Sequence, residues 1–227
     1  MHLGSGASVC AIKNGKSYDT SMGLTPLQGL PGATRTGSVD PSLIFHYTDN
    51  AAEVVTDESQ VVKVKFSVGE EVLNKHGGWK ALTGTTDFGE IVRQMKAVEA
   101  KYKPGEKHDP EDDKWKLAFD IFADRVCDFA GAYFLKLEGK IDAVVFSGGI
   151  GEHSSDLRDV VLSRMACLGF DFDREKNEHV DDVDGVMVEI SKKQEGDKRI
   201  IVCRTDEQVR LSDFAFSAGS DRYFRAD

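Results

Sequence analysis

The chain has 227 residues, with 29 Lys and Arg against 39 Asp and Glu and a net charge of −10. That acidic balance argues against a nucleic-acid-binding protein, which usually presents a basic face, yet a few glycines, one arginine and a Mg²⁺ could still hold a nucleotide locally. The length suits one large domain or two small ones. No signal-peptide core or long apolar run points to export or a membrane span, and four scattered cysteines (Cys10, Cys127, Cys167, Cys203) without a C-x-x-C pair read as reduced, mostly buried thiols of a cytoplasmic protein.

In chain order, Ala7 to Ile12 and Lys16 to Asp19 flank Asn14-Gly15, which predicts a hairpin with a type I′ turn. Ser21 to Pro41 is rich in Gly, Thr and Pro and reads as an ordered loop. Asp40-Pro41 supplies an N-cap and a first-turn proline for a helix through about Tyr47. Ala51 to Val55 is helix-like, whereas Val61 to Phe66 has strand composition. Ile91, Val92, Met95 and Val98 place a helix over Asp87 to Lys101, followed by a charged surface loop from Lys103 to Asp113. Trp115, Ala118, Ile121, Phe122, Arg125, Phe129 and Tyr133 mark the longest helix, about Asp112 to Glu138, with its aromatic stripe facing the core. A strand at Val144-Val145 leads to a helix opened by Ser154 or Ser155. Val186 to Ile190 is a candidate strand, Arg199 to Cys203 a buried strand, and Asp206 to Phe216 a last helix. A hairpin followed by helices alternating with strands implies a mixed α/β layer, most simply one domain.

Four segments can carry chemistry. Asp142-Ala-Val-Val-Phe-Ser-Gly-Gly-Ile-Gly-Glu-His153 joins a strand to glycines and a helix start. There, outward N–H groups and the helix dipole favour an anion, although an ordinary tight βα turn has the same composition. His2-Leu-Gly-Ser-Gly-Ala-Ser8 is a second glycine loop, readable as a phosphate loop or a plain turn. Thr34-Arg-Thr-Gly37 puts Arg35 in a polar loop, where its planar fork suits a phosphoryl group or is simply solvated. At Thr205-Asp-Glu207, carboxylates either satisfy a helix dipole or hold Mg²⁺. His46, His76, His108 and His179 have no metal-ligand spacing and read as structural. Neither a P-loop nor the dinucleotide fingerprint is present.

Taken together and in order, His2 to Ser8, Asp19-Thr-Ser-Met-Gly-Leu-Thr-Pro-Leu27, Gly32-Ala-Thr-Arg-Thr-Gly-Ser-Val-Asp-Pro41, Phe146 to His153 and Thr205-Asp-Glu207 resemble the acetate kinase family over essentially the whole chain. The resemblance implies an actin-like ATPase fold, shared with sugar kinases, Hsp70 and actin and related to ribonuclease H, with a five-stranded mixed sheet flanked by helices. It implies that residues 1–227 are the C-terminal nucleotide-binding and dimerisation domain of a cytoplasmic homodimer, with the N-terminal domain absent. The implied activity is reversible transfer of the γ-phosphoryl of Mg-ATP to acetate, giving acetyl phosphate and ADP, with the isolated chain incompetent or nearly so.

Matched position by position, His2, Leu3, Gly4, Ser5 and Gly6 form the first nucleotide loop, and Asp87, Phe88 and Gly89 the loop near adenine. Gly149, Ile150, Gly151, Glu152 and His153 form the second nucleotide loop. Arg35 takes the place of the arginine that stabilises the transition state, and Glu207 that of the Mg²⁺ carboxylate. Ser5 and His153 replace a usual asparagine, and Gly89 stands where many members carry arginine. Alternatives are a non-catalytic dimerisation or regulatory module, a pyrophosphate-dependent relative, or a propionate or butyrate kinase.

Overall fold

In the computed structural model, which describes residues 1–57, 64–103, 105–192 and 198–205, the chain starts as a short antiparallel pair, β1 (His2–Leu3) and β2 (Ala7–Ser8). The hairpin β3 (Cys10–Lys13) and β4 (Lys16–Thr20) follows. Asn14 and Gly15 both take positive φ, 54° and 72°, as the type I′ turn requires. Helix α1 (Leu43–Tyr47) begins later than the sequence implies. The Asp40 carboxylate accepts from the Ser42 N–H and hydroxyl in a turn before the helix, rather than capping it. The helix-like Ala51 to Val55 instead enters strand β5 (Val54–Asp57), paired with β6 (Val64–Ser67), because β-branched residues suit a pleated edge.

Helix α2 (Val68–Lys75) starts on a capping box of Ser67 and Glu70, and a short α3 (Gly78–Thr83) follows. Helix α4 (Phe88–Lys101) buries Phe88, Ile91, Met95 and Val98 at helical spacing. Helix α5 (Pro110–Lys136) starts inside the segment expected to be loop. Asp109 caps it, Pro110 needs no N–H there, and Glu111, Asp112 and Asp113 favour its positive end.

Strand β7 (Ala143–Phe146) leads into α6 (Gly148–His153) and α7 (Ser155–Met165), opened by Ser154, whose Oγ accepts from the Leu157 N–H. Then come α8 (Arg174–Glu178), β8 (Met187–Glu189) and β9 (Arg199–Cys203). Strand β9 lies between β7, to which it is parallel, and β8, to which it is antiparallel. Among the described residues the five-stranded sheet implied by the resemblance is not seen as one sheet, and the strands form small sheets instead. They are this three-stranded sheet, two-stranded pairs, and a parallel bridge from His2 to Ser147 that lays β1 along the end of β7.

The core lies between that sheet and α4, α5 and α7. Phe88 and Phe122 meet Trp79 edge-on at 5.4 and 5.3 Å between ring centres, and Phe88 stacks on Phe119. The stripe predicted for α5 is largely kept: Ala118, Phe122 and Tyr133 are buried and Trp115 and Phe129 pack on the core, joined by Phe119, Ala123 and Val126, while Ile121 and Arg125 face outward. Neighbours on both sides of α5 decide which face is covered, and α4, α3 and α7 cover this one. The cysteines also depart from expectation. All four are free thiols, but Cys10 and Cys167 are exposed and Cys127 and Cys203 only half-buried, because each stands at an element end or rim. Among the described residues, no helix is long and apolar enough to cross a membrane.

Candidate functional site

Because β7 and β9 are parallel, their C-terminal ends share one edge, where open α/β sheets present ligand-facing loops. The chain leaves β7 through extended Ser147 and turns at Gly148, whose φ of 77° is left-handed. A Cβ at Gly148 would lie 2.8 Å from the Leu3 carbonyl oxygen, so only glycine fits. The Leu3 N–H donates to Ser147 O at 2.7 Å, which seats the first glycine loop against the second. Gly149 is exposed, and a Cβ there would meet nothing within 4 Å.

Two charged side chains grip α6 from opposite ends. The buried Glu152 carboxylate accepts at Oε1 from Gly148 N–H (2.9 Å), Thr205 N–H (3.0 Å) and Thr205 Oγ1 (2.8 Å). Arg158, 1% exposed, donates to the Gly151 and Glu152 carbonyls, at 2.9 and 2.6 Å, and to Asn177 Oδ1 and O. Negative charge at the first turn and positive charge at the last carbonyls both follow the helix dipole. Burial pulls the Arg158 guanidinium down to about 10, against the opposing pull of Asp181 and Asp156. Sequence reading passes over Arg158 and Asn177. The signal was an arginine set among Leu157, Val161, Leu162 and Met165 on one buried helical face.

The first loop also holds the arginine loop. Ser5 O accepts from the Ala33 N–H at 2.8 Å, and the Gly32 N–H donates to Arg35 O at 3.0 Å. Gly78 (φ 66°) brings α3 against the same loop, where a Cβ would lie only 2.1 Å from Gly32 O. Trp79 and Lys80 N–H groups then donate to Gly32 and Ala33. The Arg35 fork reaches over the first loop, its Nη1 lying 3.1 Å from where a Gly6 Cβ would stand. Among the described residues, Arg35 is the one arginine whose side chain makes no hydrogen bond or ion pair. It is half-buried and lies against the first glycine loop.

The remaining predicted residues divide by what their side chains do. Leu3 and Phe88 are core residues, so any ligand contact from them is through backbone. Asp87 caps α4, accepting from the Gly89 N–H at 2.8 Å and pairing with Arg93 at 3.2 Å. The Asp87 to Gly89 turn connects to the arginine loop through Trp79, which packs on Phe88 and donates from its indole to Thr86 O. His2 bridges to Ser147, Ile150 packs against the core, and His153 Nδ1 lies 3.0 Å from Asp181 Oδ1 on the surface. Glu207 lies outside the described residues, two positions beyond the anchored Thr205. Among the described residues, no three His, Cys, Asp or Glu side chains gather to hold a metal. A concavity of about 540 Å³ lies elsewhere, between α7 and α8, lined by Ser163, Phe170, Phe172, Arg174 and Lys192, and contains none of these residues.

The description of the acetokinase family matches residues 1–213. The chain is 50% identical over 213 residues to a probable acetate kinase of Emericella nidulans, covering 93% of this chain and 47% of that one. It is 48% identical to a probable acetate kinase of Neurospora crassa, with the same shares covered. Among solved structures, a propionate kinase of Francisella tularensis aligns with TM-score 0.69 at 35% identity, covering 92% of this chain and 46% of that one. Porphyromonas gingivalis acetate kinase aligns with TM-score 0.73 at 30% identity over 95% of this chain and 47% of that one. The chain spans about half the length of the curated relatives it matches.

Proposed function

Because the chain belongs to the acetokinase family, we propose that it is the C-terminal, nucleotide-binding and dimer-forming half of an acetate kinase, built on the actin-like ATPase fold. The observation that carries this reading is the Arg35 guanidinium, without a side-chain partner among the described residues and held over Gly6 of the first glycine loop, which is itself bonded through Leu3 to the start of the second. In-line phosphoryl transfer needs little covalent work from the protein and much positioning and charge. The glycine loops hold the phosphates through backbone N–H groups, and Arg35 meets the charge that spreads over the equatorial oxygens as ATP and acetate pass to ADP and acetyl phosphate.

Mg²⁺ fits this arrangement. It is usually held by phosphates, water and one or two carboxylates, and Glu207 is the carboxylate that the resemblance assigns to it. When bound, the ion neutralises phosphate charge. The wall that selects the acid is assigned to none of these residues. A longer acid such as propionate is the second reading, favoured by the 35% identity to a propionate kinase.

Calorimetric titration of the chain with MgATP and with magnesium pyrophosphate tests the site. Saturable binding of MgATP supports it, and preference for pyrophosphate moves the reading to a pyrophosphate-dependent relative. Absence of both, in a sample that melts cooperatively, refutes the nucleotide site and leaves a dimerisation module.

A further inference from the structure

The resemblance places Glu152 among residues that touch the nucleotide, but the geometry gives its carboxylate other work. Its Oε1 is buried and already takes three donors: the Gly148 N–H at the first turn of α6, and both the N–H and the hydroxyl of Thr205. Those donors come from residues 57 positions apart in chain order, on the exits of the two parallel strands β7 and β9. At the far end of α6, Arg158 holds the last carbonyls and Asn177 together, and the Asn177 amide donates to Ser155 O at 3.0 Å. The six-residue helix is thus gripped at both ends by buried charges. Neither charge points toward the surface on which Gly149 lies open.

We propose that Glu152 is a positioning residue, a clasp that makes the second glycine loop and the chain leaving β9 at Thr205 move as one body, with Arg158 fixing the opposite end of α6. This rests on the reading of those loops as a nucleotide site. Its consequence is that the phosphate-facing turn and Thr205 at the exit of β9 are set in register before a ligand arrives. Ordering them in advance lowers the entropy lost on binding.

Thr205 is the place to test this, because it is exposed and its side chain meets the clasp through the hydroxyl, whereas its N–H donates whatever the side chain. Thr205→Val removes that donor and keeps the shape, whereas Thr205→Ser keeps the donor. Three quantities are measured on each: thermal melting, hydrogen exchange at the Gly148 amide, and calorimetric affinity for MgADP. One charge-assisted hydrogen bond corresponds to roughly a tenfold factor. Thr205→Val is therefore expected to speed exchange at Gly148 about tenfold and weaken MgADP binding about three- to tenfold, with Tm lowered only by the roughly 2–4 °C that one such bond accounts for. Thr205→Ser is expected to behave as the parent in all three. A Thr205→Val chain that binds MgADP like the parent, or keeps Gly148 protected, overturns the clasp while leaving the nucleotide site standing. A parent chain that binds no MgADP overturns the nucleotide reading, and the clasp's role in binding with it.

Discussion

Replacing two adjacent glycines with alanine separates folding from ligand contact in the second loop. At Gly148, alanine must adopt φ near 77°, which costs an L-residue about 1–2 kcal/mol, and its Cβ meets the Leu3 carbonyl oxygen at 2.8 Å. That oxygen is backbone, and the Leu3 N–H bond to Ser147 holds it in place, so relieving the contact adds about 1–3 kcal/mol. The sum, about 2–5 kcal/mol, corresponds to a fall in Tm on the order of 10 °C for a chain of this length. At Gly149 the methyl meets nothing within 4 Å and the backbone is helical, so alanine stabilises by about 0.5–1 kcal/mol. The same methyl stands where a phosphate would approach the backbone, so MgATP affinity falls at least about tenfold. Thermal melting by circular dichroism and calorimetry on both variants read the two effects. A Gly149→Ala chain that binds like the parent would show that this turn does not face the nucleotide. A Gly148→Ala chain that melts like the parent would refute the left-handed turn.

Arg158→Met orphans carbonyls of Gly151, Glu152 and Asn177 while releasing a buried charge, for a net loss of about 3 kcal/mol in urea unfolding. Burial holds the folded guanidinium below its unfolded value but still at about 10, so it stays charged in both states near neutrality. The Arg158→Met loss should therefore be flat from about pH 5 to 8, and a slope across that range would refute this account. In a preparation that catalyses transfer, Arg35→Ala lowers kcat by about 10²–10³, and near-normal turnover removes its role. Asp19 is held below the usual carboxylate range, first by its hydrogen bond to Lys136 and then by the Thr20 N–H. Its contribution is thus present above the unfolded value near pH 4 and fades as pH falls through the folded one. Lys136→Met should flatten the melting temperature between about pH 5 and 2, and an unchanged acid slope would refute the pairing.

Local chemistry was legible in the sequence wherever one residue or one short pattern settles it. Asn14-Gly15 dictated the hairpin turn, helical spacing gave α4, and the glycine motifs and Arg35 marked the candidate site in order along the chain. What depended on neighbours was decided only by the fold. Ala51 to Val55 has helical composition, but pairing across Val54–Asp57 and Val64–Ser67 makes its end a strand edge. The buried face of α5 keeps Ala118, Phe122 and Tyr133 of the predicted stripe but takes in Phe119 and Val126 and leaves Ile121 and Arg125 outside, because α3, α4 and α7 pack on that side. Most of all, Glu152 reads as a residue of the second nucleotide loop, and Arg158 is passed over. Only the parallel pairing of β7 with β9, and the packing of α8 against α7, buries each among donors or acceptors far away in sequence. A motif specifies which groups are available, whereas long-range contacts decide which of them remain free to meet a ligand.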